Sequence, residues 1–339
     1  MTSFVRVAIV ASAVKITQHV SLTTIFRSLA AVLLLVSFTG GCRNATRFSG
    51  PAGTPSDPSG YANANLLVSV GWLNEHLHDP DLRLIDLSSS GAYQDGHIPG
   101  AVHLWWQDTI ELHNEVYGMM AGAPELEQLV QSAGITPKSH VVLYDDNGDR
   151  GAARFLWVLN ANGFANVSLL NGGRQAWQAD GHALTKSSPT VAAGQLDLTL
   201  DYQVLIGADT LAQHLHDPGY VLVDNRTPGE QAETWYGRLR SGQIPGAKQI
   251  PWTALTEAGS IPYFADPASL RTRFVDAGVT PDKTVVVYGL DGVSAAPTYF
   301  ALKLLGYPKV LLYDGSWSEW GANANLPIEP LPAQPVSTK

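Results

Sequence analysis

Cysteine is almost missing from this chain of 339 residues: Cys42 is the only one. A single thiol excludes a disulfide within the chain and any metal site built on several cysteines. Positive charge is scarce as well, with 21 Lys and Arg against 30 Asp and Glu and a formal net charge of −9. No run of Lys or Arg compensates locally, which argues against a nucleic-acid partner, because phosphate binding needs a basic face. The apolar run "LAAVLLLVSF" (Leu29–Phe38) stops at ten residues, short of the roughly 20 that an ordinary membrane-spanning helix needs. The chain as a whole is 45% hydrophobic and 15% charged. A chain of this length and composition can bury sizeable cores and suggests about two domains.

The first forty residues contain no acidic side chain and hold Arg6, Lys15 and Arg27 ahead of the apolar run. A basic stretch followed by a short apolar one reads as an export signal over residues 1–41. The alternative is an uncleaved anchor helix starting near Ile25. Directly after the run comes "TGGC", ending at Cys42. Small residues before a cysteine at this place resemble the lipobox of bacterial lipoproteins, although Thr39 stands where that pattern prefers Leu. Acylation of Cys42 would anchor the protein to a membrane of the bacterial cell envelope. A plain signal peptide with a chance cysteine would give a soluble periplasmic protein. Arg43 follows, so no acidic retention signal is visible. Residues 42–65, rich in Gly, Pro, Ser and Asn, are expected to form a flexible tether.

The remainder repeats itself. "LNEHLHDPDLRLIDLSSSGAYQDGHIPGAVHL" (Leu73–Leu104) returns as "LAQHLHDPGYVLVDNRTPGEQAETWYGRLRSGQIPGAKQI" (Leu211–Ile250). "HVVLYDDNGDRGAARFLWVLNANGFANVSLLNGGRQAW" (His140–Trp177) returns as "TVVVYGLDGVSAAPTYFALKLLGYPKVLLYDGSWSEW" (Thr284–Trp320). A period near 140 residues is the size of a domain and not of a solenoid unit. Runs such as "LRLID", "VVLY", "VVVY" and "VLLY" read as parallel strands buried on both faces. Between them lie helical stretches that end at Gly163 and Gly306, each suited to a C-cap. The expected fold is therefore α/β, with two tandem domains over 66–182 and 204–330. Each has a parallel sheet flanked by helices. Residues 183–203 link the domains, and 331–339 form a tail.

Some residues invite a chemical reading that a structural one outweighs. The "HLH" triplets (His76–His78 and His214–His216) sit at expected helix ends, where residues two apart diverge, so solvated termini fit better than metal ligation. His97 could serve as a base, but the second copy holds Gln243 there, so a hydrogen-bonding role in the turn suffices. Pro99–Gly100 should fix a type II turn, with Gly taking the positive φ. The tryptophans of "RQAW" and "SEW" read as core residues. No metal and no cofactor is expected.

"YQDGHIPGAVHL" (Tyr93–Leu104) and "VLLYDGSWSEW" (Val310–Trp320) resemble the N- and C-terminal signatures of the two-domain rhodanese family, the thiosulfate and 3-mercaptopyruvate sulfurtransferases. The aspartates of "LIDL" and "LVDNR" also fit. In active members, the resemblance implies, a cysteine opens the loop after a strand of the C-terminal domain. It carries sulfane sulfur as a persulfide from a donor to a nucleophilic acceptor. Only a polarizable thiolate, favoured by the loop's N–H groups and a helix dipole, both attacks sulfur and leaves from it.

Here that loop reads "GLDGVSA" (Gly289–Ala295). Gly292, Val293, Ser294 and Ala295 fit the family pattern, which puts Gly289 at the cysteine position. Leu290 falls where some members place an arginine, and Asp291 adds a negative charge. Arg226 in "VDNR" matches a family arginine near the site and is either an anion contact or a structural ion-pair partner. The first domain's equivalent loop, "DDNGDRG" (Asp145–Gly151), opens on Asp145, as is common in this inactive half of the family. Cys42 lies before the tether and cannot replace the missing thiol.

Two classes of function compete. One is a sulfurtransferase by ancestry with residual or altered chemistry, which Gly289→Cys would reinforce. The other is a pseudoenzyme that binds a small sulfur-containing anion or an envelope protein in a cleft between the domains. That cleft is expected to be widened by the missing side chain at Gly289. Cysteine-phosphatase chemistry fails for want of the same thiolate.

Overall fold

The computed structural model describes residues 60–235 and 237–332. The export signal, Cys42 and the tail beyond 332 lie outside the described residues. The first domain runs β1 (Leu67–Val68), α1 (Val70–His76), β2 (Leu82–Asp86), α2 (Ser90–Asp95), β3 (Val102–His103), β4 (Ile110–His113), β5 (Val116–Met120), α3 (Ala123–Ser132), β6 (His140–Tyr144), α4 (Arg150–Ala161), β7 (Val167–Leu170) and α5 (Gly173–Ala179). The second runs β8 (Leu205–Ile206), α6 (Ala208–Gln213), β9 (Tyr220–Asp224), α7 (Pro228–Gln231), β10 (Lys248–Gln249), α8 (Pro267–Asp276), β11 (Thr284–Tyr288), α9 (Gly292–Leu304), β12 (Val310–Tyr313) and α10 (Ser316–Trp320).

Both halves build the same five-stranded parallel sheet. The strand orders are β1-β7-β6-β2-β3 and β10-β9-β11-β12-β8, which is one order read from opposite edges. Central strands such as β6 and β11 are buried over nearly their whole length, which is why their sequences are continuous apolar runs instead of alternating ones. The helix ends follow the glycines: Gly163 and Gly306 take φ of 81° and 84°, the left-handed conformation that closes α4 and α9.

The Pro-Gly turns are equally regular. Gly100 and Gly246 have φ of 85° and 78°, and Ala101 N and Ala247 N donate to the Ile98 and Ile244 carbonyls at 3.0 and 3.2 Å. A tyrosine hydroxyl holds each turn from the sheet. Ile98 N donates to Tyr144 Oη and Ile244 N to Tyr288 Oη, both at 3.1 Å. His97 is fully buried, and its ring nitrogens lie 2.9 and 3.3 Å from the Tyr93 and Ser187 carbonyls. Gln243 does the matching work by donating to Glu329 Oε1 at 2.6 Å. Each residue pins a turn to the segment that follows its domain, through bridges His97–Thr185 and Gln243–Glu329. The first histidine of each triplet is engaged locally: His76 stacks on Trp72 at 4.1 Å, and His214, capping the end of α6, lies 3.2 Å from Asp217 Oδ2 on the surface. Trp177 and Trp320 are core residues.

One hydrophobic cluster runs through both domains, and each domain has a further cluster of its own. α4 and α9 pack on each other, and α9 is buried at twelve of its thirteen residues. A helix apolar all round must be covered on all sides, and here α9 lies between its own sheet and α4. The expected tether ends earlier than residue 65. Tyr61 is buried and its hydroxyl donates to the Ala265 carbonyl, while Asn63 N donates to the Leu304 carbonyl at 3.1 Å. Residues 61–63 are docked on the second domain, because a buried aromatic ring with a satisfied hydroxyl offsets the entropy of ordering a short segment.

Candidate functional site

β11 ends at Tyr288, whose hydroxyl donates to Asp224 Oδ2 at 2.9 Å. Gly289 follows and is buried. Its N–H donates to Ser316 Oγ at 3.2 Å and its carbonyl accepts from Trp317 N at 3.0 Å. The Leu290 carbonyl accepts from Ser318 N at 2.9 Å. α9 then begins at Gly292, only three residues past Gly289, with Asp291 as its N-cap. Asp291 Oδ1 accepts from Ser294 N at 2.8 Å, and Asp291 N donates to Ser294 Oγ at 3.2 Å. Three N–H groups of the loop, those of Gly289, Asp291 and Ser294, are thus already engaged by hydroxyl and carboxylate oxygens. Leu290 is half-buried, Val293 and Ala295 are buried, and Ser294 is fully covered.

The expectation that the missing side chain widens a cleft is not met. A Cβ built on Gly289 would overlap Ser294 Oγ and lie 2.6 Å from Asn225 Oδ1 and 3.0 Å from Ala295 N. The nearest side-chain atoms are oxygens, and Asn225 Oδ1 has no hydrogen-bond partner among the described residues. From above, the β4–β5 hairpin of the first domain closes the loop. A Cβ on Gly118 would lie 2.8 Å from Asp291 Cβ, and Ser318 Oγ donates to the Tyr117 carbonyl at 3.2 Å. Burial, and after it the Asp291 charge, pushes the Tyr117 hydroxyl up. Because Asp291 closes α9, Asp291→Ala should cost about 1 kcal/mol of stability, measurable by urea unfolding. A loss within error would show that the cap is not needed.

The first domain's loop is arranged oppositely. Asp145 is 3% exposed, and its Oδ1 accepts from Asn147 N and Asp149 N at 2.8 and 2.9 Å. Its Oδ2 accepts from Gly151 N and Ala152 N at 2.8 and 3.1 Å. Four backbone donors therefore converge on one carboxylate, as in an anion nest. Burial pushes this carboxyl up, and the four donors oppose that rise. α4 starts at Arg150, five residues past Asp145. The longer loop keeps its N–H groups turned inward, where that of the second domain has wound into helix.

A cleft of 380 Å³ opens beside this loop, where Asp145, Asp146, Asn147, Arg150 and Trp106 face Asp291 and Val293 of the second domain. Asp146 is 3.4 Å from Arg174, and Arg150 is 3.6 Å from Glu230 while lying over the Trp252 ring at 4.9 Å. Three carboxylates and one guanidinium line the cleft, a balance that repels a small dianion.

Arg226 is not in this cleft. It is fully buried, bonded through Nε and Nη2 to Asp224 at 2.9 and 2.6 Å, and stacked over Trp317 at 4.3 Å. Of the two readings of this residue, the structural ion pair is the one observed, and the anion contact has no access to solvent. Nη2 also donates to the Gly242 carbonyl at 2.8 Å. In the first domain Arg174 reaches the equivalent Gly96 carbonyl at 2.9 Å from a different element, α5. The turn before each Pro-Gly is thus held by an arginine that the repeat supplies from two places.

Sequence reading missed Arg154 and Asp314. Arg154, fully buried on α4, donates to Asp314 Oδ1 at 2.5 Å across the domain boundary and to the Gly118 carbonyl at 3.0 Å. Asp314 Oδ2 accepts from Met120 N at 2.7 Å. A charge inside the otherwise apolar "AARFLWVL" was the available signal.

Similarity to known proteins agrees with the fold. A family model for the rhodanese-like domain matches residues 69–180 and 207–323. A protein of Thermus thermophilus named sulfur carrier protein TtuD is 36% identical over 79% of this chain and 98% of its own length. The thiosulfate sulfurtransferase of Pseudomonas aeruginosa is 35% identical with the same two coverages, and the 3-mercaptopyruvate sulfurtransferase of Escherichia coli K12 is 33% identical over 78% of this chain and 98% of its own. Among solved structures, SseA of Escherichia coli superposes with a TM-score of 0.66 at 29% identity, covering 74% of this chain and 98% of that one. An anaerobic ergothioneine biosynthesis enzyme from Chlorobium limicola shares the fold, with a TM-score of 0.69 at 24% identity over 79% of this chain and 71% of its own.

Proposed function

This chain belongs to the rhodanese family of tandem-domain proteins related to thiosulfate and 3-mercaptopyruvate sulfurtransferases, and from that premise we propose that it binds a ligand instead of relaying sulfur. The observation that carries this reading is the position after β11. It holds Gly289, its side-chain space is taken by Ser294 and Asn225, and no thiol lies among the described residues. A persulfide needs a sulfur atom at a place that favours the thiolate, and oxygen acceptors do the reverse.

Within the binding reading, the acidic cleft beside Asp145 makes a protein segment with neutral or basic side chains a better occupant than a small sulfur-containing anion. Acylation at Cys42 would place the module on the bacterial cell envelope, and the mass of the mature N-terminus tests that placement. The second reading, a sulfurtransferase with residual or altered chemistry, draws on the names of the relatives.

Purified protein assayed for thiocyanate from thiosulfate and cyanide, and for sulfur transfer from 3-mercaptopyruvate to a thiol, separates the two readings. The expected rates are those of the buffer blank. Turnover well above it with either donor would overturn the binding reading in favour of the second.

A further inference from the structure

The first domain's loop contains a second carboxyl that neither the sheet nor the interface explains. Asp149 is 1% exposed and holds a left-handed backbone conformation, φ 60° and ψ 20°. Neither of its carboxylate oxygens has a hydrogen-bond partner among the described residues. The fold does not demand a polar residue at this point: four residues past Gly289, the matching place in the second domain, stands Val293, buried and apolar. Leaving a carboxylate buried without donors costs several kcal/mol on the usual scale of such burial, so something that the protein itself does not supply must compensate it.

The surroundings identify the chemistry. Gly173, at the start of α5, has φ 56° and no side chain. Outside its chain neighbours and the backbone of α5, the three atoms nearest to a Cβ built on it would be oxygens: the Asp145 carbonyl at 2.8 Å, Gln175 Oε1 at 3.5 Å and Asp149 Oδ1 at 3.7 Å. Gln175 Oε1 is itself buried and without a partner, its amide nitrogen being turned away to donate to the Asp146 carbonyl at 3.2 Å. Two unpartnered acceptor groups beside a carbonyl, one of them formally charged, suit a cation and not an anion or a neutral acceptor. Carboxylate, amide and carbonyl oxygens are the donor set of hard ions. Calcium accepts such irregular mixed sets with water completing the shell, whereas magnesium requires a near-ideal octahedron and gives up its water reluctantly.

We propose that the chain binds a hard metal cation of the calcium class between the first domain's loop and the start of α5, held by Asp149, Gln175 Oε1 and the Asp145 carbonyl. The ion neutralises Asp149 beside the Asp145 carboxylate and ties the loop that carries the N–H nest to α5. Burial and the neighbouring Asp145 charge push the Asp149 carboxyl well up, so a proton on Asp149 is the competing way to remove the charge.

The two are separated by melting the chelator-treated full chain with millimolar calcium, magnesium or sodium, and with choline as the control cation. Calcium should raise Tm by about 5 °C, with one calcium bound per chain by equilibrium dialysis. Asp149→Asn should abolish both effects. Gln175→Leu, which keeps the carboxyl, should weaken calcium binding at least tenfold and stands in if the first variant does not fold. No calcium response in wild type, a response to sodium alone, or an undiminished response in the variants would overturn the proposal.

Discussion

With Cys42 replaced by Ser, a thiol introduced by Asp145→Cys should be alkylated at pH 7 by a small reagent about tenfold or more faster than one introduced by Gly289→Cys. This expectation reverses the order that the sequence pattern suggests, in which 289 is the family's nucleophile position. At 145 four N–H groups already converge on an anion, at 2.8 to 3.1 Å, beside an open cleft. Donors of this kind stabilise the thiolate over the thiol. At 289 a side chain must first displace Ser294, and its sulfur then meets Asn225 Oδ1, an acceptor that favours the protonated thiol. The β4–β5 hairpin also covers that loop. The comparison is made by mass-spectrometric alkylation kinetics, with circular dichroism to show that both variants are folded. Equal rates, or a faster reaction at 289, would mean that the second loop opens readily in solution and that its closed form is not what suppresses reactivity.

The second large effect concerns stability. Arg154→Met should lower unfolding free energy by about 3–5 kcal/mol, because it leaves Asp314 buried opposite no charge. Asp314 is also the acceptor for Met120 N, so the hairpin over the second loop depends on the same carboxylate. For a protein of this size the loss corresponds to a fall in Tm of about 10 °C. Removing both charges together, as Arg154→Met with Asp314→Leu, should cost clearly less than the sum of the two single changes, since neither partner is then stranded. Urea unfolding of the four proteins gives the coupling directly. A single-variant loss below about 1 kcal/mol would show that water reaches the pair and that it behaves as a surface contact.

Much of the architecture could be read along the chain. The alternation of apolar runs with helical spacing, the glycines closing α4 and α9, and the Ile-Pro-Gly turns are local signals, each set by one residue's conformational preference or by a short period. The structural roles of His97 and Gln243 were legible because the repeat supplied its own control: a base cannot be exchanged for an amide, but a hydrogen-bonding post can. Arg226 was legible only as a pair of alternatives, since adjacency to Asp224 in sequence does not reveal whether the guanidinium is enclosed. Residues 61–63 read as tether because a lone Tyr among Gly, Pro and Ser gives no sign of the slot, formed near Ala265, that receives it.

What the sequence by itself determined is that two copies of one α/β domain follow each other and that a glycine stands where a nucleophile is expected. These follow from periodicity, turn chemistry and the absence of one kind of atom. Whether that glycine leaves a space was decided by Asn225 and Ser294, brought against it from another strand and from the helix start. The partner of Arg154 lies 160 positions away, and the donors around Asp145 exist only once their loop is curled. Such arrangements depend on which atoms meet after the chain has folded, and residue order along a strand or helix does not encode that meeting in any local pattern.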